Sequence, residues 1–254
     1  MTPDSVFDLT GRRALVTGAS RGLGAVIART LAGHGAHVFV NYLRREADAQ
    51  DTVRAIIEAG GTASLAPANL ARPDEVRAMF AGPLKEGLDI LVHNAAIGSF
   101  KPAHQVRANQ WDLSMQVNAR ALLLCVQEAL PRLAERQGRV IAVSSLGGGR
   151  VMPDYGAIGV SKAALEALTR YLGVELAGRG VRVNGVAGGL LDLPSVRQHP
   201  SFDDIVPDTI RRTPAGRLGS ADDIARVVLF LCTPLSDWIV GQTIVADGGM
   251  SLTL

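Results

Sequence analysis

The chain is poor in cysteine and aromatic residues, and it has no block of one charge sign. Only two of its 254 residues are cysteine, Cys125 and Cys232, and both lie in apolar, helix-like runs. This setting favours packed, reduced thiols over a disulfide or a metal site. The 26 basic and 24 acidic residues are spread along the chain, so neither nucleic acid nor a membrane surface is an expected partner.

Long hydrophobic runs are also missing. No apolar stretch approaches the length of a membrane span, and the first residues show neither the basic nor the apolar part of a leader peptide. We therefore expect a soluble, cytoplasmic protein that acts on small molecules.

What the sequence does contain is an alternation of short β-branched runs with longer helical patterns. The short runs predict strands at 13–17, 36–40, 63–67, 89–93, 139–144, 181–186 and 242–246. The helical patterns lie at 23–33, 45–59, 73–81, 109–135, 155–178 and 221–232. Strands that are apolar on both faces and separated by helices indicate a parallel sheet with both faces covered. We predict one domain over 1–254 with a doubly wound (Rossmann) α/β fold, a seven-stranded parallel sheet with helices on both faces.

One long segment, at about 188–215, has no regular pattern and contains four prolines, Pro194, Pro200, Pro207 and Pro214. Long irregular insertions after a sheet strand are commonly loops over a binding site. Its leucines and other apolar residues suit an acyl chain, but they suit a closing lid or a subunit contact equally well.

A glycine-rich turn follows the first predicted strand and opens the first predicted helix. Gly18, Gly22 and Gly24 are its glycines. Glycines let the backbone approach a pyrophosphate, whose charge is then stabilised at the helix N-terminus. The strand before and the helix after make this a predicted dinucleotide-binding turn.

Tyr155 and Lys162 form the second notable motif. They are seven residues apart, close to two turns of helix, so a helix over this segment would place both side chains on one face. Ser145 lies seventeen residues before the lysine.

Taken together, these motifs resemble the short-chain dehydrogenase/reductase family over essentially the whole chain. Residues 17–24 match its cofactor turn, 93–96 stand where the family usually has Asn-Asn-Ala-Gly, and Asn118 matches its structural or proton-relay asparagine. Ser145 and Lys162 match its active-site serine and its lysine for the cofactor ribose. The resemblance implies a nicotinamide cofactor and a homotetramer. With the strand ends around it, it predicts these cofactor-binding residues: Gly18, Ser20, Arg21, Gly22, Leu23, Gly24, Asn41, Arg44, Asn69, Leu70, Asn94, Ala95, Lys162, Gly188 and Leu191.

The end of the second predicted strand favours NADPH over NADH. NAD-binding proteins place an acid there for the ribose 2′-hydroxyl, but this chain has none before Glu46. Arg21, with Arg44 or Arg45, can instead donate hydrogen bonds to a 2′-phosphate.

The tyrosine is displaced from its usual place in the family, four residues before the lysine. That position is Ile158, which has no proton to donate, and Tyr155 lies about one helical turn earlier, roughly 4.5 Å along the axis. An enoyl thioester accepts hydride three bonds away from the oxygen where charge collects, so its hydrogen-bond donor must move with that oxygen.

The spacing of Tyr155 and Lys162 resembles that of the enoyl-acyl carrier protein reductases, in particular the NADPH-dependent enoyl reductase III group. It implies reduction of a trans-2-enoyl thioester, carried on acyl carrier protein or CoA, in fatty-acid or polyketide-type biosynthesis. Tyr155, Lys162, Ser145 and Asn118 are the predicted catalytic residues, and the role of Ser145 is open between a direct hydrogen bond to substrate and an indirect one. Two alternatives stay open: a carbonyl reductase, which Ser145 favours and Ile158 disfavours, and a non-catalytic NADPH-binding regulator.

Overall fold

The computed structural model describes residues 6–194, 196–198 and 202–253. Residues 1–5, to which the expectation about a leader peptide refers, lie outside the described part, as do Pro200 and residue 254. A seven-stranded parallel sheet with the strand order β3-β2-β1-β4-β5-β6-β7 forms its centre. The strands are β1 (Arg13–Val16), β2 (His37–Tyr42), β3 (Thr62–Pro67), β4 (Ile90–His93), β5 (Arg139–Ser145), β6 (Arg182–Gly188) and β7 (Thr243–Ala246). Every predicted strand is confirmed.

Helices cover both faces of the sheet. They are α1 (Gly22–Gly33), α2 (Glu46–Glu58), α3 (Pro73–Ala81), α4 (Ala108–Met115), α5 (Ala121–Glu135), α6 (Gly156–Ala177), α7 (Phe202–Arg212) and α8 (Ala221–Leu231). Buried side chains of α1, α2 and α8 form one core layer against the sheet. Those of α3, α5 and α6 form the other. The predicted doubly wound fold is therefore confirmed.

The strand order reverses between β1 and β4. The chain runs from β1 outward to β2 and β3, and then returns to β4 on the other side of β1. In parallel sheets of this kind a crevice opens at the carboxyl ends of the two strands where the order reverses, and ligands bind there. The cofactor turn follows β1, so it lies at this crevice.

The segment 188–215 was predicted to be irregular, and this prediction is wrong for residues 202–212, which form α7. The four prolines of the segment are the reason that no helix was predicted there. Asp203 and Asp204 occupy its first turn and Arg211 and Arg212 its last, a charge arrangement that complements the helix dipole. Pro207 lies inside the helix and removes only one backbone hydrogen bond.

The predicted helix 109–135 is interrupted by a π-helical turn at Gln116–Arg120, which separates α4 from α5. Such turns insert one extra residue into a helix and occur frequently at functional sites. Asn118 lies in this turn.

Cys125 and Cys232 are free and buried, as predicted. Burial raises the pKa of Cys125 to about 12, so this thiol is unreactive at neutral pH. Within the described ranges, no helix has both the length and the apolar character needed to cross a membrane.

Candidate active site

The cofactor turn depends on two of its glycines for different reasons. Gly18 has a φ of +62°, and a Cβ there would lie 2.9 Å from the Cα of Ala95. A Cβ on Gly24 would lie 2.4 Å from the carbonyl oxygen of Gly18 and 2.5 Å from the side-chain nitrogen of Asn94. Helix α1 begins at Gly22, so its free N–H groups open onto the turn. These features form a cradle that fits a pyrophosphate.

Two predicted cofactor residues support this turn from beneath. Asn41 is buried, accepts a hydrogen bond from the backbone nitrogen of Gly18 at 3.2 Å, and donates to the carbonyl of Ala66 at 2.9 Å. The amide of Asn94 donates to the carbonyls of Thr17 and Gly18 at 2.9 and 3.1 Å. Both side chains hold the shape of the turn, and their direct contact with a cofactor stays a prediction.

The end of β2 carries free positive charge. Arg21 precedes α1, and both it and Arg44 are exposed and have no ion-pair partner among the described residues. Arg45, the alternative to Arg44, is paired with Asp48 at 3.3 Å. Arg21 and Arg44 are therefore the better pair for a 2′-phosphate.

The remaining predicted cofactor residues lie either after strand ends around the crevice or in the cofactor turn. Asn69 accepts a hydrogen bond from the backbone nitrogen of Ala71 at 3.0 Å and follows β3, next to the buried Leu70. Gly188 ends β6, and Leu191 is buried three residues further on. Ser20 and Leu23 are half-buried in the cofactor turn itself.

Tyr155 is not inside the predicted helix 155–178. Helix α6 begins at Gly156, and Tyr155 precedes it with φ −109° and ψ 13°. The phenol is positioned by packing instead. Its ring centroid lies 6.2 Å from that of Phe100, and a Cβ on Gly147 would come within 2.5 Å of the ring. Of the two residues predicted to share a helix face, only Lys162 therefore lies within α6.

The hydroxyl of Ser145 lies near the phenol of Tyr155. Burial raises the pKa of Tyr155 above its ordinary value, and the neighbouring Ser145 hydroxyl, which lowers this pKa, offsets the effect of burial only in part. The phenol is consequently protonated at neutral pH and can donate a hydrogen bond. Ser145 in turn accepts from the backbone nitrogen of Gly147 at 3.3 Å, which fixes its orientation.

Lys162 is buried in α6 and only 4% exposed. Its Nζ donates to the carbonyl of Val143 at 2.6 Å, which leaves two ammonium protons for other partners. Burial lowers the pKa of Lys162 to about 8, and the negative charge of Glu166 opposes this shift. Glu166 lies one turn further along the helix and accepts a hydrogen bond from Ser144 at 2.5 Å.

Asn118 connects the π turn to two neighbouring segments. Its side chain donates to the carbonyl of Ile97 and to the hydroxyl of Ser161, both at 2.8 Å, and accepts from the backbone nitrogen of Ile97 at 2.8 Å. The amide is therefore fully used in holding the loop after β4 against α6, beside Lys162.

Ile158 is buried at the position where the family tyrosine is expected. It packs so closely on Gly98 that a Cβ at Gly98 would lie 2.1 Å from its Cγ1. This side chain cannot donate a proton, so Tyr155 is the phenol that lies beside Ser145.

Several site residues were not predicted from the sequence. Glu166 raises the pKa of Lys162 and accepts a hydrogen bond from Ser144, and Phe100 packs on Tyr155. His93 and Thr17 bond to each other beneath the cofactor turn. Both lie in ranges that the sequence matched to family motifs, 93–96 and 17–24, but this contact between them was not predicted.

A separate cavity of about 480 Å³ lies between α7 and the carboxyl end of β7. Its lining includes Thr209, Thr213, Arg217 and Asp247 but none of the four predicted catalytic residues. The chemistry is therefore assigned to the crevice around Tyr155 and not to this cavity.

Comparisons with known proteins show the family to which the chain belongs. A family model described as Enoyl-(Acyl carrier protein) reductase matches residues 18–251. The 1-cyclohexenylcarbonyl-CoA reductase of Streptomyces collinus is 37% identical over 94% of this chain and 86% of its own. The 3-oxoacyl-[acyl-carrier-protein] reductase of Staphylococcus aureus is 36% identical over 94% of this chain and 98% of its own.

A solved structure gives the same result for the fold. The angucycline C-6 ketoreductase LanV, with bound NADP, superposes with a TM-score of 0.89 at 36% identity and covers 96% of this chain and 97% of its own. A 1-cyclohexenylcarbonyl-CoA reductase, a 3-oxoacyl reductase and a ketoreductase therefore match at similar identity, and the comparisons establish the family and not the reaction. The chain belongs to the short-chain dehydrogenase/reductase family of oxidoreductases.

Proposed function

We propose that the protein is an NADPH-dependent reductase of trans-2-enoyl thioesters in fatty-acid or polyketide-type biosynthesis. One observation carries this proposal: Tyr155 is a protonated phenol, and the usual position of the family tyrosine is occupied by the buried Ile158, which has no proton to donate. The relative from Streptomyces collinus supports it, because 1-cyclohexenylcarbonyl-CoA is a thioester conjugated to a C=C bond.

NADPH is the proposed cofactor, and it supplies the hydride. The Gly18–Gly24 turn would hold its pyrophosphate, and Arg21 with Arg44 would hold the 2′-phosphate. Lys162 has two ammonium protons free for ribose hydroxyls.

The proposed chemistry places developing negative charge within reach of the phenol. Hydride adds to the β-carbon, the π electrons of the C=C bond move toward the thioester carbonyl, and charge collects on its oxygen. Tyr155 donates a hydrogen bond to that oxygen, and the positive charge of Lys162 also stabilises the negative charge that develops there. A proton from solvent water then adds at the α-carbon, which completes the saturated thioester.

Carbonyl reduction is a second candidate, and one contact favours it. The hydroxyl of Ser145 lies near the phenol of Tyr155, so both hydroxyls could hold the oxygen of a ketone at the same time. The reductase from Staphylococcus aureus, whose name describes a 3-oxoacyl substrate, matches as fully as the enoyl-type relative. In this reaction hydride would add to the carbon that bears the oxygen, and Tyr155 would give its proton to that oxygen.

A substrate panel separates the candidates. NADPH oxidation is followed with crotonyl-CoA, 1-cyclohexenylcarbonyl-CoA and acetoacetyl-CoA, and the products are identified by mass spectrometry. We expect turnover of the two unsaturated thioesters and formation of the saturated products. Turnover of acetoacetyl-CoA alone would support the carbonyl reductase, and NADPH binding without turnover of any substrate would support a regulator.

The carrier of the acyl group needs its own comparison. Presenting the same crotonyl group on CoA and on acyl carrier protein, at equal concentration, shows which thioester gives the higher kcat/KM. A clear preference for the carrier protein would place the enzyme in fatty-acid or polyketide-type assembly, and a preference for CoA would argue against it.

We also propose a homotetramer. The family resemblance implies one, and large apolar side chains are exposed on α6 and near the C-terminus, namely Val160, Tyr171, Val174, Trp238 and Leu252. Burial of such residues in subunit contacts would remove apolar surface from water. Light scattering after size-exclusion chromatography is expected to give four times the mass of the chain, and a monomer mass would refute the assembly.

A further inference from the structure

His93 ends β4 and is completely buried between two segments that shape the site. Its Nδ1 lies 3.3 Å from the hydroxyl of Thr17, just before the cofactor turn. Its Nε2 lies 3.2 Å from the carbonyl oxygen of Asn118, in the π turn. One imidazole ring therefore joins the cofactor turn to the π turn.

The hydrogen-bond inventory of Thr17 fixes which ring nitrogen carries the proton. The Thr17 hydroxyl oxygen accepts hydrogen bonds from the backbone nitrogens of Asn94 and Ala95, each at 3.0 Å. Both lone pairs of that oxygen are thus used, and its own proton must be donated. His93 Nδ1 is the partner in reach, so Nδ1 accepts and is unprotonated. The proton of the neutral ring is then on Nε2, which donates to Asn118.

The surroundings favour the same neutral state. Burial, followed by the positive charge of Lys162, lowers the pKa of His93 to about 4. A protonated ring would bring a second cation near the buried ammonium group of Lys162, and among the described residues the ring nitrogens are bonded to a hydroxyl and a backbone carbonyl and not to a carboxylate.

The bonds around His93 do not lead out of the protein. Thr17 is bonded to backbone N–H groups, and the Asn118 amide is bonded to Ile97 and Ser161. The Ser161 hydroxyl donates to the carbonyl of Ile158 at 2.7 Å. Each of these branches ends on a backbone atom, so the bonds of this cluster hold the segments in position.

We propose that His93 is a positioning residue, a neutral imidazole protonated on Nε2. It clamps the π turn to the cofactor turn and so fixes Asn118 against the part of α6 that carries Lys162. This role holds whether the enzyme reduces a C=C or a C=O bond. Its direct test therefore does not depend on the proposed reaction.

The direct test is the tautomer of His93 in the wild-type protein. Long-range ¹H–¹⁵N correlation spectra of the ¹⁵N-labelled enzyme resolve the two ring nitrogens of each of the five histidines, and the His93 signals are identified by their loss in His93→Gln. We expect a protonated Nε2 and an unprotonated Nδ1 that do not change between pH 5 and pH 8. A proton on Nδ1, or titration within that range, would overturn the proposal.

Variants then test the function of the clamp. His93→Phe keeps a flat ring but makes neither hydrogen bond, and we expect kcat to fall about tenfold, the scale of one buried hydrogen bond. His93→Gln has an amide nitrogen that can reach the Asn118 carbonyl, and it should recover most of that loss. Val92→Ala, in the same strand, is the packing control, because it removes buried volume without a polar contact.

Each outcome of the variant series decides the question. Loss of kcat in His93→Phe with recovery in His93→Gln supports the clamp, provided that thermal unfolding of the two variants is similar. Equal loss in both variants, or wild-type kcat in His93→Phe, would contradict it. If neither variant folds, the tautomer of the wild-type enzyme still gives the answer.

Discussion

The buried ammonium group of Lys162 predicts a basic limit to catalysis close to physiological pH. Burial lowers the pKa of Lys162 from 10.5 to about 8. In the free enzyme the group is then about 90% charged at pH 7 and about 10% charged at pH 9. Because kcat/KM reports the ionisation of the free enzyme, kcat/KM for NADPH should fall roughly tenfold per pH unit above pH 8 if the charge is required.

Glu166→Gln is the perturbation that moves this limit. The carboxylate of Glu166 raises the pKa of Lys162, so its neutralisation should shift the basic limb to lower pH. The hydrogen bond from Ser144 can be kept, because the amide oxygen of glutamine still accepts it. We therefore expect near-normal activity at pH 7 and a marked loss already at pH 8.

The assay is the initial rate of NADPH oxidation with limiting cofactor between pH 7 and pH 10. An exposed acid, Glu175→Gln on the same helix, is the matched control and should leave the limb in place. A wild-type profile that stays flat to pH 10 would show that the charge of Lys162 is not required, and an upward shift of the limb in Glu166→Gln would show that Glu166 does not raise the pKa of Lys162.

Three further predictions concern the cofactor and the fold. Gly24→Ala should abolish NADPH binding measured by fluorescence, because the new Cβ would lie 2.4 Å from the carbonyl oxygen of Gly18. The control is Gly33→Ala at the end of the same helix, whose Cβ would meet no atom within 4 Å, and this variant should bind NADPH normally. Arg44→Ala should lower kcat/KM for NADPH about tenfold and leave that for NADH unchanged, and equal losses would exclude a 2′-phosphate contact. Lys162→Met should abolish turnover without lowering the free energy of unfolding in urea at pH 7. Since the pKa of Lys162 is lower in the folded state, the wild type should gain up to about 3 kcal/mol as pH rises from about 8 to 10.5, a gain that the methionine variant lacks.

The sheet was predictable because its strands are short, β-branched and apolar on both faces. A strand that is apolar on both faces must have both faces covered, as in the middle of a parallel sheet, and the longer segments between the strands are long enough to form the covering helices. Helix α7 was not predicted, since four prolines in one segment outweighed the acidic start and basic end of the helix. Local composition favoured a loop, but the charges at the two ends and the tertiary packing allowed a helix around Pro207.

The site residues were found from motifs, but their positions were not. Tyr155 was expected inside a helix, whereas its phenol is placed by Phe100, after β4, and by Ser145 and Gly147, at the end of β5 and just after it. The π turn at Asn118 leaves no sequence signal, because one inserted residue hardly disturbs a helical pattern. Contacts of this kind join residues far apart in the chain, so neither periodicity nor spacing reveals them.

The central claim is that the hydroxyl of Tyr155 stabilises negative charge on the oxygen of a conjugated thioester. The most direct measurement is kcat for crotonyl-CoA reduction by Tyr155→Phe, with the exposed Tyr171→Phe on α6 as control. The phenylalanine ring keeps the packing and removes one hydrogen-bond donor, so kcat should fall about 100- to 1,000-fold while NADPH affinity is unchanged. Wild-type kcat in Tyr155→Phe, with normal activity in the control, would contradict the claim.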